Sequence, residues 1–348
     1  MSLCLCVSVS LCLRGEIGDV QLKQALNSAI ERLTRESVPS PRMNAELLIM
    51  FTLECDRAYL YAHPERELTT EEIFRYDDAI ARRATGVPAQ YITGHQEFWG
   101  MDLIVSPAVL IPRPETEHVV EAVLALVNGA GAEQKQDQDQ RPRTGVSVPH
   151  ERGRAAPATA GGAPALRMVD VGTGSGAIAL ALAKELPSAE IHATDISAEA
   201  LEVAEANAAR HELDSQIHFH RADLLSDLPL ASPASGEASV GWAHGKFDFV
   251  VSNPPYVGES EEDHVQLEVR KFEPRRAVFG GPTGLEVIER LIPQAREALR
   301  PGGWLVFEIS GTIADSVRRL LADWEEVAIS NDLQGIARVA RARKTTYD

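Results

Sequence analysis

The stretch Asp170-Val171-Gly172-Thr173-Gly174-Ser175-Gly176 follows the apolar pair Met168-Val169 and precedes an apolar run of helical character. Glycine lets the backbone adopt positive φ and lets a ligand approach the main chain closely. The spacing is GxGxG, whereas dinucleotide-binding enzymes use GxGxxG to place a pyrophosphate on a helix. The stretch therefore predicts a strand, turn and helix that hold a nucleoside-containing cofactor, and it favours a methyltransferase over a dehydrogenase.

Strands and amphipathic helices alternate on the carboxyl side of this loop. Continuous apolar strands separated by helices are typical of a parallel sheet that is covered on both faces. We therefore expect an α/β, doubly wound, Rossmann-like domain with its ligand at the carboxyl ends of the strands. The predicted strands are Leu166–Asp170, Glu190–Thr194, Ile217–His220, Phe247–Ser252, Trp304–Ile309, Glu326–Asn331 and Ala337–Ala342, and the predicted helices are Gly174–Lys184, Ala198–His211, Gly284–Leu299 and Ala314–Leu321.

The chain ahead of this region has a different pattern. Residues 17–95 carry apolar side chains at helical spacing, and Thr69-Thr70-Glu71-Glu72 has the form of a capping box. We expect a small helical domain there, which is either a stabilising cap or a docking module for a macromolecular substrate. Residues 96–115 contain two short strand-like runs that meet at Gly100, followed by prolines that stiffen the chain. They predict a β-hairpin linker to a second domain at residues 116–348.

Composition limits the classes of partner. The chain has 348 residues, of which 44% are hydrophobic and 24% charged, and its formal net charge is −17. Those values are typical of a globular protein with room for two domains. An acidic chain lacks the positive surface that non-specific DNA binding uses. We expect a monomer in the cytoplasm that binds a small molecule and a protein, with no direct contact to DNA and none to a membrane.

Three further features concern segments and metals. Residues 1–16 are apolar at first but have no basic region ahead of them, so we expect a disordered extension, with a signal peptide as the alternative. Residues 129–165 have almost no bulky apolar side chains and predict a flexible insertion. The four cysteines form no CxxC pair and no histidine cluster accompanies them, which predicts no metal site.

A second motif, Asn253-Pro254-Pro255-Tyr256, ends the predicted strand Phe247–Ser252. The nitrogen of an amide or exocyclic amine is a poor nucleophile because its lone pair is delocalised. The Asn253 side-chain carbonyl and the Pro254 main-chain carbonyl can each accept one of its N–H groups, and such preorganised acceptors stabilise the charge that builds on nitrogen. The prolines fix the turn, and Tyr256 offers a face to a planar substrate. A structural proline turn is the alternative.

Acidic residues follow two further predicted strands. Asp195 ends the second strand, where a carboxylate can accept hydrogen bonds from both ribose hydroxyls of a cofactor; a helix amino-terminal aspartate is the alternative. Asp223 follows the third strand and is predicted to face an adenine amino group, or else to cap a loop. Leu224 would then form part of an apolar wall against the adenine. Glu308, near the end of a later strand, receives no role, and the basic run Arg270–Arg276 is either a phosphate or carboxylate contact or a solvated turn.

These assignments define the predicted site. The catalytic residues are Asn253, Pro254 and Tyr256; the cofactor-binding residues are Gly172, Thr173, Gly174, Ser175, Gly176, Asp195, Asp223 and Leu224; and the substrate-binding residues are Asn253, Pro254, Pro255 and Tyr256.

Further motifs extend across the chain, and with the two above they resemble one family. The chain is similar to the HemK/PrmC family of protein-(glutamine-N5) methyltransferases, which modify peptide chain release factors. The resemblance implies S-adenosylmethionine as methyl donor and the glutamine of a release factor Gly-Gly-Gln motif as acceptor. It also implies that Asn253 is a cofactor-binding residue, together with the glycine loop and Asp195. The additional matching stretches are Arg42–Leu48, Gly86–Gly94, Glu97–Gly100, Val109–Glu117, Phe272–Arg275 and Asp332–Gly335.

The chain departs from the family pattern at two places. Leu224 stands where relatives often carry an aromatic residue, and Ser310 follows Ile309 where relatives usually have glycine. Two rival interpretations remain open at this point. An adenine-N6 DNA methyltransferase would use the Asn-Pro-Pro-Tyr motif on an extruded base, and a non-catalytic scaffold would bind the cofactor alone.

Overall fold

A computed structural model describes residues 20–133, 166–226, 228 and 247–346 of the chain. They fall into two compact units: the first contains the residues up to His95 together with Leu267–Phe272, and the second contains the rest. The predicted extension at residues 1–16 and residues 134–165 of the predicted insertion lie outside the described residues.

The first unit is helical, as the sequence predicts. Its helices up to His95 are α1 (Leu22–Arg35), α2 (Pro41–Leu53), α3 (Arg57–Ala62), α4 (Thr70–Ala84) and α5 (Ala89–Thr93). Helix α4 begins at the predicted capping box, in which the Thr69 hydroxyl accepts from the Glu72 N–H and the Glu72 carboxylate accepts from the Thr69 N–H. Leu33, Leu48 and Ile80 are buried in the shared core of these helices.

Arg83 joins a distant segment to this unit. Its buried guanidinium donates to the Asn44 side-chain oxygen at 2.7 Å and pairs with Glu268 at 2.7 Å. Glu268 lies on the short helix Leu267–Phe272, so this helix belongs to the first unit although it comes late in the chain. A buried charge is costly unless it is paired and hydrogen-bonded. The pairing therefore explains why a piece of chain far from residue 95 completes the helical unit.

The predicted hairpin is present. Strands β1 (His95–Phe98) and β2 (Met101–Ile104) form a two-stranded sheet. Trp99 and Gly100, the two residues between them, have φ values of 54° and 65°, the left-handed conformation that two-residue hairpin turns require. A 3-10 turn at Pro114–Thr116 then leads into helix α6 (Glu117–Glu133), which continues past the predicted boundary of the insertion at residue 129.

A seven-stranded sheet forms the centre of the second unit. Its strands are β3 (Arg167–Val171), β4 (Glu190–Asp195), β5 (Ile217–Arg221), β6 (Phe247–Ser252), β9 (Leu299–Glu308), β10 (Glu325–Asn331) and β11 (Ala337–Arg343), and a separate two-stranded sheet contains β7 (Val257–Gly258) and β8 (Phe279–Gly281). The order in the large sheet is β10-β11-β9-β6-β3-β4-β5; β9, β6, β3, β4 and β5 are parallel, while β11 runs antiparallel to both of its neighbours. This is the doubly wound arrangement that the sequence predicts. The helices after α6 are α7 (Ala177–Glu185), α8 (Ala198–Arg210), α9 (Leu267–Phe272), α10 (Arg275–Val278), α11 (Glu286–Ala298) and α12 (Ala314–Leu320).

Both faces of the sheet are covered. On β3, Met168 packs into one hydrophobic cluster, and Val169 and Val171 pack into another. Because successive side chains of a strand point to opposite faces, apolar residues of β3 in two different clusters mean that both faces of the strand are buried. Strand β3 lies between β4 and β6, where the strand order reverses direction. The carboxyl ends of these three strands therefore border the crevice in which doubly wound sheets bind ligands.

Three histidines lie on two neighbouring strands, away from that crevice. The imidazole of His192 on β4 is buried; its Nδ1 lies 2.9 Å from Nε2 of His220, and its Nε2 lies 2.9 Å from Oε1 of Glu190. Burial lowers the pKa of His192 to about 4, although Glu190 acts in the opposite direction. Burial, with the nearby His218, also lowers the pKa of His220. His192 and His220 are therefore neutral in the folded protein near pH 7.

We expect His192 to make the stability depend on pH. Because its folded pKa lies below the ordinary 6.5, the unfolded chain binds the proton first, and stability is lost as the pH falls from 6.5 to about 4. One pKa unit corresponds to about 1.4 kcal/mol, so the loss from this group is about 3 kcal/mol. His192→Phe keeps an aromatic ring that cannot be protonated. The free energy of unfolding that this variant loses between pH 6.5 and about 4 should therefore be smaller by about 3 kcal/mol. Urea unfolding of both proteins at several pH values measures it; parallel pH profiles would contradict the prediction.

Candidate active site

A cavity of about 720 Å³ opens at the carboxyl ends of the central strands. Its volume lies in the range of small-molecule sites. It is bordered by the glycine loop after β3, by the end of β4, by the residues after β5 and by the turn after β6. The predicted site residues that line it are Gly172, Thr173, Gly174, Ser175, Asp195, Asp223, Leu224, Asn253 and Pro255.

The glycine loop leaves room for a ligand. Gly172 and Gly174 have φ values of 71° and 56°, and a Cβ atom built on either would meet no other atom within 4 Å. Both positions therefore need glycine for the backbone conformation and leave open space above it. The loop is anchored to strand β4, because the N–H groups of Gly172 and Thr173 both donate to the Thr194 carbonyl oxygen, at 2.8 and 2.9 Å.

Asp170 supports the same loop from inside the protein. Its Oδ2 accepts a hydrogen bond from the Thr173 hydroxyl at 2.7 Å and another from the Ala179 N–H at 3.2 Å. Its Oδ1 is buried and has no hydrogen-bond partner among the described residues. Burial raises the pKa of this carboxyl group to about 7. Asp170 thus fixes the start of the loop and of helix α7, and it does not line the cavity.

Gly176 has a different role from the other two glycines. Its φ is 84°, and a Cβ atom built on it would lie 3.0 Å from Leu180 Cδ1 and 3.3 Å from Ala204 Cβ. It does not line the cavity. The structure therefore gives Gly176 a packing role, where the chain turns into α7 close to α8; its cofactor contact stays a prediction.

Asp195 lies at the end of β4 and faces the cavity. Its Oδ2 accepts from the Gly174 N–H at 2.9 Å, and its Oδ1 accepts from the Ser197 N–H at 2.9 Å. Ser197 itself caps helix α8 through its hydroxyl, so the cap is not Asp195. A carboxylate has about four acceptor positions. Two of them remain for a ligand such as a ribose with two hydroxyls.

Asp223 and Leu224 lie across the cavity, after β5. Asp223 forms an ion pair with Arg290, which also lines the cavity. Leu224 has a φ of 58°, and its carbonyl oxygen accepts from the Thr194 hydroxyl at 2.9 Å. The left-handed conformation is uncommon for leucine, and here the bond from Thr194 accompanies it. This backbone conformation sets the direction of the chain at Leu224, where the sequence predicts an apolar wall. Of the predicted basic run, Arg276 lines the cavity and Arg275 pairs with Glu262.

The Asn-Pro-Pro-Tyr turn is divided between the cavity and the protein interior. Asn253 and Pro255 line the cavity, whereas Pro254 and Tyr256 do not. The Asn253 Nδ2 donates to the Thr116 hydroxyl at 3.0 Å. The Tyr256 hydroxyl donates to Glu308 Oε1 at 2.9 Å. Burial, and then Glu308, raises the pKa of Tyr256 above its ordinary range. Tyr256 is therefore a neutral hydrogen-bond donor.

Thr116 and Glu308 are two site residues that sequence reasoning missed. Glu308 ends β9 and is 1% exposed, and its Oε2 accepts from the Thr116 hydroxyl at 2.6 Å. Burial raises its pKa, against the two hydroxyl donors that lower it. A carboxylate at the end of a buried apolar strand is the signal that could have found Glu308, since such a group needs partners to be stable. Among the described residues, no cluster of side chains suited to a metal ion occurs.

Comparison with known proteins agrees with this geometry. Residues 163–338 match the model of a methyltransferase domain, and residues 24–94 match the PrmC N-terminal domain. The Release factor glutamine methyltransferase of Koribacter versatilis (strain Ellin345) is 50% identical over 325 residues, which cover 93% of this chain and 99% of that protein. Proteins of the same name from Chlorobaculum tepidum and Moorella thermoacetica are 37% and 39% identical over 90% and 86% of this chain, and over 94% and 89% of their own lengths.

The fold and the cavity define an S-adenosylmethionine-dependent methyltransferase. The chain belongs to the release factor glutamine methyltransferase family, because its identity to those proteins extends over both of its units. Membership in this family disfavours the adenine-N6 DNA methyltransferase alternative. Within the residues that the structure describes, no helix is long and apolar enough to span a bilayer.

Proposed function

We propose that this protein transfers a methyl group from S-adenosylmethionine to the side-chain amide nitrogen of the glutamine in the Gly-Gly-Gln motif of peptide chain release factors. One observation carries the proposal: Asn253, which can accept from an amide N–H, lines the same cavity as the glycine loop. The names of the relatives specify the same acceptor.

The chain's own residues hold the methyl donor. Gly172 and Gly174 leave space at the main chain for its amino-acid part, and the free acceptor positions of Asp195 suit its ribose hydroxyls. Asp223 and Leu224 border the region left for the adenine. S-adenosylmethionine, when bound, supplies a methyl group on a positively charged sulfur. Asp195 places a negative charge at the cavity that receives this cation, whereas the charge of Asp223 is paired with Arg290.

The turn after β6 holds the acceptor nitrogen. The Asn253 side-chain oxygen accepts one N–H of the substrate amide. The predicted acceptor for the other N–H is the Pro254 main-chain oxygen, although Pro254 does not line the cavity. The lone pair of that nitrogen is then directed at the methyl group, and the acceptors stabilise the positive charge that develops on it. Pro255 contributes a rigid wall to the cavity. Tyr256 is held by its bond to Glu308, and its contact with the planar amide stays a prediction because Tyr256 does not line the cavity.

Labelling separates this function from its rival. The protein is incubated with methyl-labelled S-adenosylmethionine and either a purified release factor, the same factor with its Gly-Gly-Gln glutamine changed to alanine, or double-stranded DNA. We expect label only on the release factor that retains its Gly-Gly-Gln glutamine. Label on DNA, or equal label on the altered factor, would overturn the proposed acceptor.

We also infer that the helical unit docks the release factor. Met43, Leu47 and Phe51 recur every four residues on α2, so they lie along one face of the helix, and they are 58%, 36% and 40% exposed. An exposed apolar stripe of this kind marks a protein interaction site when it is contiguous. The glycine loop and Asn253 lie in the second unit, and these three side chains are not part of the helical unit's buried core.

The docking role predicts a loss that depends on substrate size. Met43→Ser with Phe51→Ser should reduce kcat/KM for an intact release factor by about tenfold, since two exposed apolar contacts contribute on the order of 1–2 kcal/mol. A short Gly-Gly-Gln peptide should be methylated as before. Phe74→Ser is the control, because Phe74 is an aromatic residue on α4 that is 71% exposed and lies outside this stripe. If both substrates lose activity equally, the helical unit is a stabilising cap.

Substitution is a sharper test of docking than removal of residues 1–95. Removal would leave helix α9 behind, and Glu268 on that helix would lose its buried partner Arg83. Helix α9 would then have lost the unit in which it packs, so a loss of activity in the remaining protein would not report on docking alone.

The proposed setting follows from the proposed substrate. We propose that the protein acts as a monomer, in the cytoplasm where release factors work, and without binding DNA directly. Its formal charge of −17 supports the last point, because such a chain repels a polyanion. Light scattering over a range of concentrations tests the monomer, and gel-shift titration at low salt tests DNA binding.

A further inference from the structure

Three hydrogen bonds link the turn after β6 to one buried carboxylate. The Asn253 Nδ2 donates to Thr116 Oγ1 at 3.0 Å, Thr116 Oγ1 donates to Glu308 Oε2 at 2.6 Å, and the Tyr256 hydroxyl donates to Glu308 Oε1 at 2.9 Å. Thr116 is 3% exposed and Glu308 is 1% exposed. The side chains come from the start of α6, from β9 and from the turn, so three parts of the chain are brought together.

The donors and acceptors in this chain can be ordered in one direction. A threonine hydroxyl has one proton, and here both oxygens of Glu308 act as acceptors, one from the Thr116 hydroxyl and one from the Tyr256 hydroxyl. Glu308 therefore accepts the Thr116 proton, and Thr116 is left with lone pairs only toward Asn253. The Asn253 group that meets Thr116 must then be the Nδ2 amine. Its Oδ1 carbonyl is consequently turned away from Thr116 and is available to the cavity that Asn253 lines.

This direction matters for the reaction. The substrate nitrogen presents N–H groups, so it needs an acceptor from Asn253. An amide rotated by half a turn would present its own N–H groups instead, and the two donors would repel each other. The two orientations of an asparagine side chain have nearly the same shape. Packing alone therefore discriminates weakly between them, whereas a hydrogen bond of fixed direction discriminates strongly.

We propose that Thr116, oriented by Glu308, is a positioning residue for methyl transfer: its hydroxyl turns the Asn253 amide so that Oδ1 faces the acceptor nitrogen. The inference rests on the proposed function of Asn253. A purely structural role, in which the hydroxyl only satisfies the buried Glu308, would affect stability and leave the reaction of the folded protein unchanged.

Two substitutions at one position separate these roles. Thr116→Val keeps the shape of the side chain and removes the hydroxyl, and Thr116→Ser keeps the hydroxyl. We expect Thr116→Val to reduce kcat for methylation of a release factor by about tenfold or more, which is a part of what one preorganised group contributes. KM and the Kd of S-adenosylmethionine should stay within about twofold, and Thr116→Ser should restore most of kcat. Thermal unfolding of each variant first shows that it is folded.

A double-mutant cycle with Asn253→Ala shows whether Thr116 acts through Asn253. If it does, Thr116→Val should cost no further kcat in the Asn253→Ala protein, because there is no amide left to orient. A folded Thr116→Val protein with wild-type kcat would overturn the proposal, and so would full additivity in the cycle.

A readout without turnover keeps this test independent of the proposed substrate. In the wild-type protein the Asn253 side-chain amide protons should exchange slowly with solvent, as seen by NMR with ¹⁵N labelling, because one of them is bonded to Thr116. Exchange should become fast in Thr116→Val and stay slow in Thr116→Ser. Fast exchange in all three proteins would overturn the positioning role. A wild-type protein that shows slow exchange but methylates no release factor would overturn only the proposed function.

Discussion

Asn253→Ala is expected to bind S-adenosylmethionine within about tenfold of the wild-type affinity and to transfer its methyl group about 100-fold more slowly, or slower still. Asn253 lines the cavity, but the loop that holds the donor is built by Gly172, Gly174 and Asp195, none of which depends on its side chain. The lost oxygen acts on the acceptor nitrogen, where charge develops during the reaction. The loss should therefore fall on kcat far more than on cofactor affinity.

The measurement pairs calorimetry of cofactor binding with single-turnover methylation of a release factor. Val287→Ala is a suitable control, because Val287 lines the same cavity and carries no polar group. It should retain both binding and turnover to within a few-fold. Normal turnover by Asn253→Ala would remove Asn253 from the mechanism, and with it the argument for Thr116.

The sheet could be predicted because its signal is local. Adjacent apolar residues in β3 (Met168-Val169) and in β6 (Phe249-Val250-Val251) indicate strands that are buried on both faces, and glycines after β3 indicate where a ligand meets the chain. The prediction of Phe247–Ser252 agrees with β6 at both ends. The site residues at strand ends come together for a topological reason: parallel strands place their carboxyl ends at one edge.

What the sequence could not predict depends on pairs that are far apart in the chain. The bond between Thr116 and Glu308 spans 192 residues, and the pair of Arg83 and Glu268 spans 185. A local pattern can mark Glu308 as a buried carboxylate, but no local pattern identifies the partner of Glu308 or of Arg83. The same limit explains why Leu267–Phe272 was not assigned to the helical unit, and why Glu308 received no role.

Asp195→Ala is expected to weaken S-adenosylmethionine binding by about 10- to 100-fold, since hydrogen bonds to a charged group contribute about 1.5–3 kcal/mol. The carboxylate has two tasks. It accepts from the N–H groups of Gly174 and Ser197, and it keeps acceptor positions for the ribose hydroxyls. Alanine removes both, so the glycine loop loses a contact at the same time as the ligand does.

Asp195→Asn distinguishes the two tasks. Its side-chain oxygen can still accept from one of the two backbone N–H groups, but its amine replaces an acceptor with a donor and the negative charge is gone. If charge and ribose contacts dominate, Asp195→Asn should bind the cofactor nearly as weakly as Asp195→Ala. If support of the loop dominates, the asparagine variant should recover most of the affinity. Titration calorimetry of S-adenosylmethionine against the three proteins decides between them, and wild-type affinity in Asp195→Ala would show that this carboxylate does not hold the ribose.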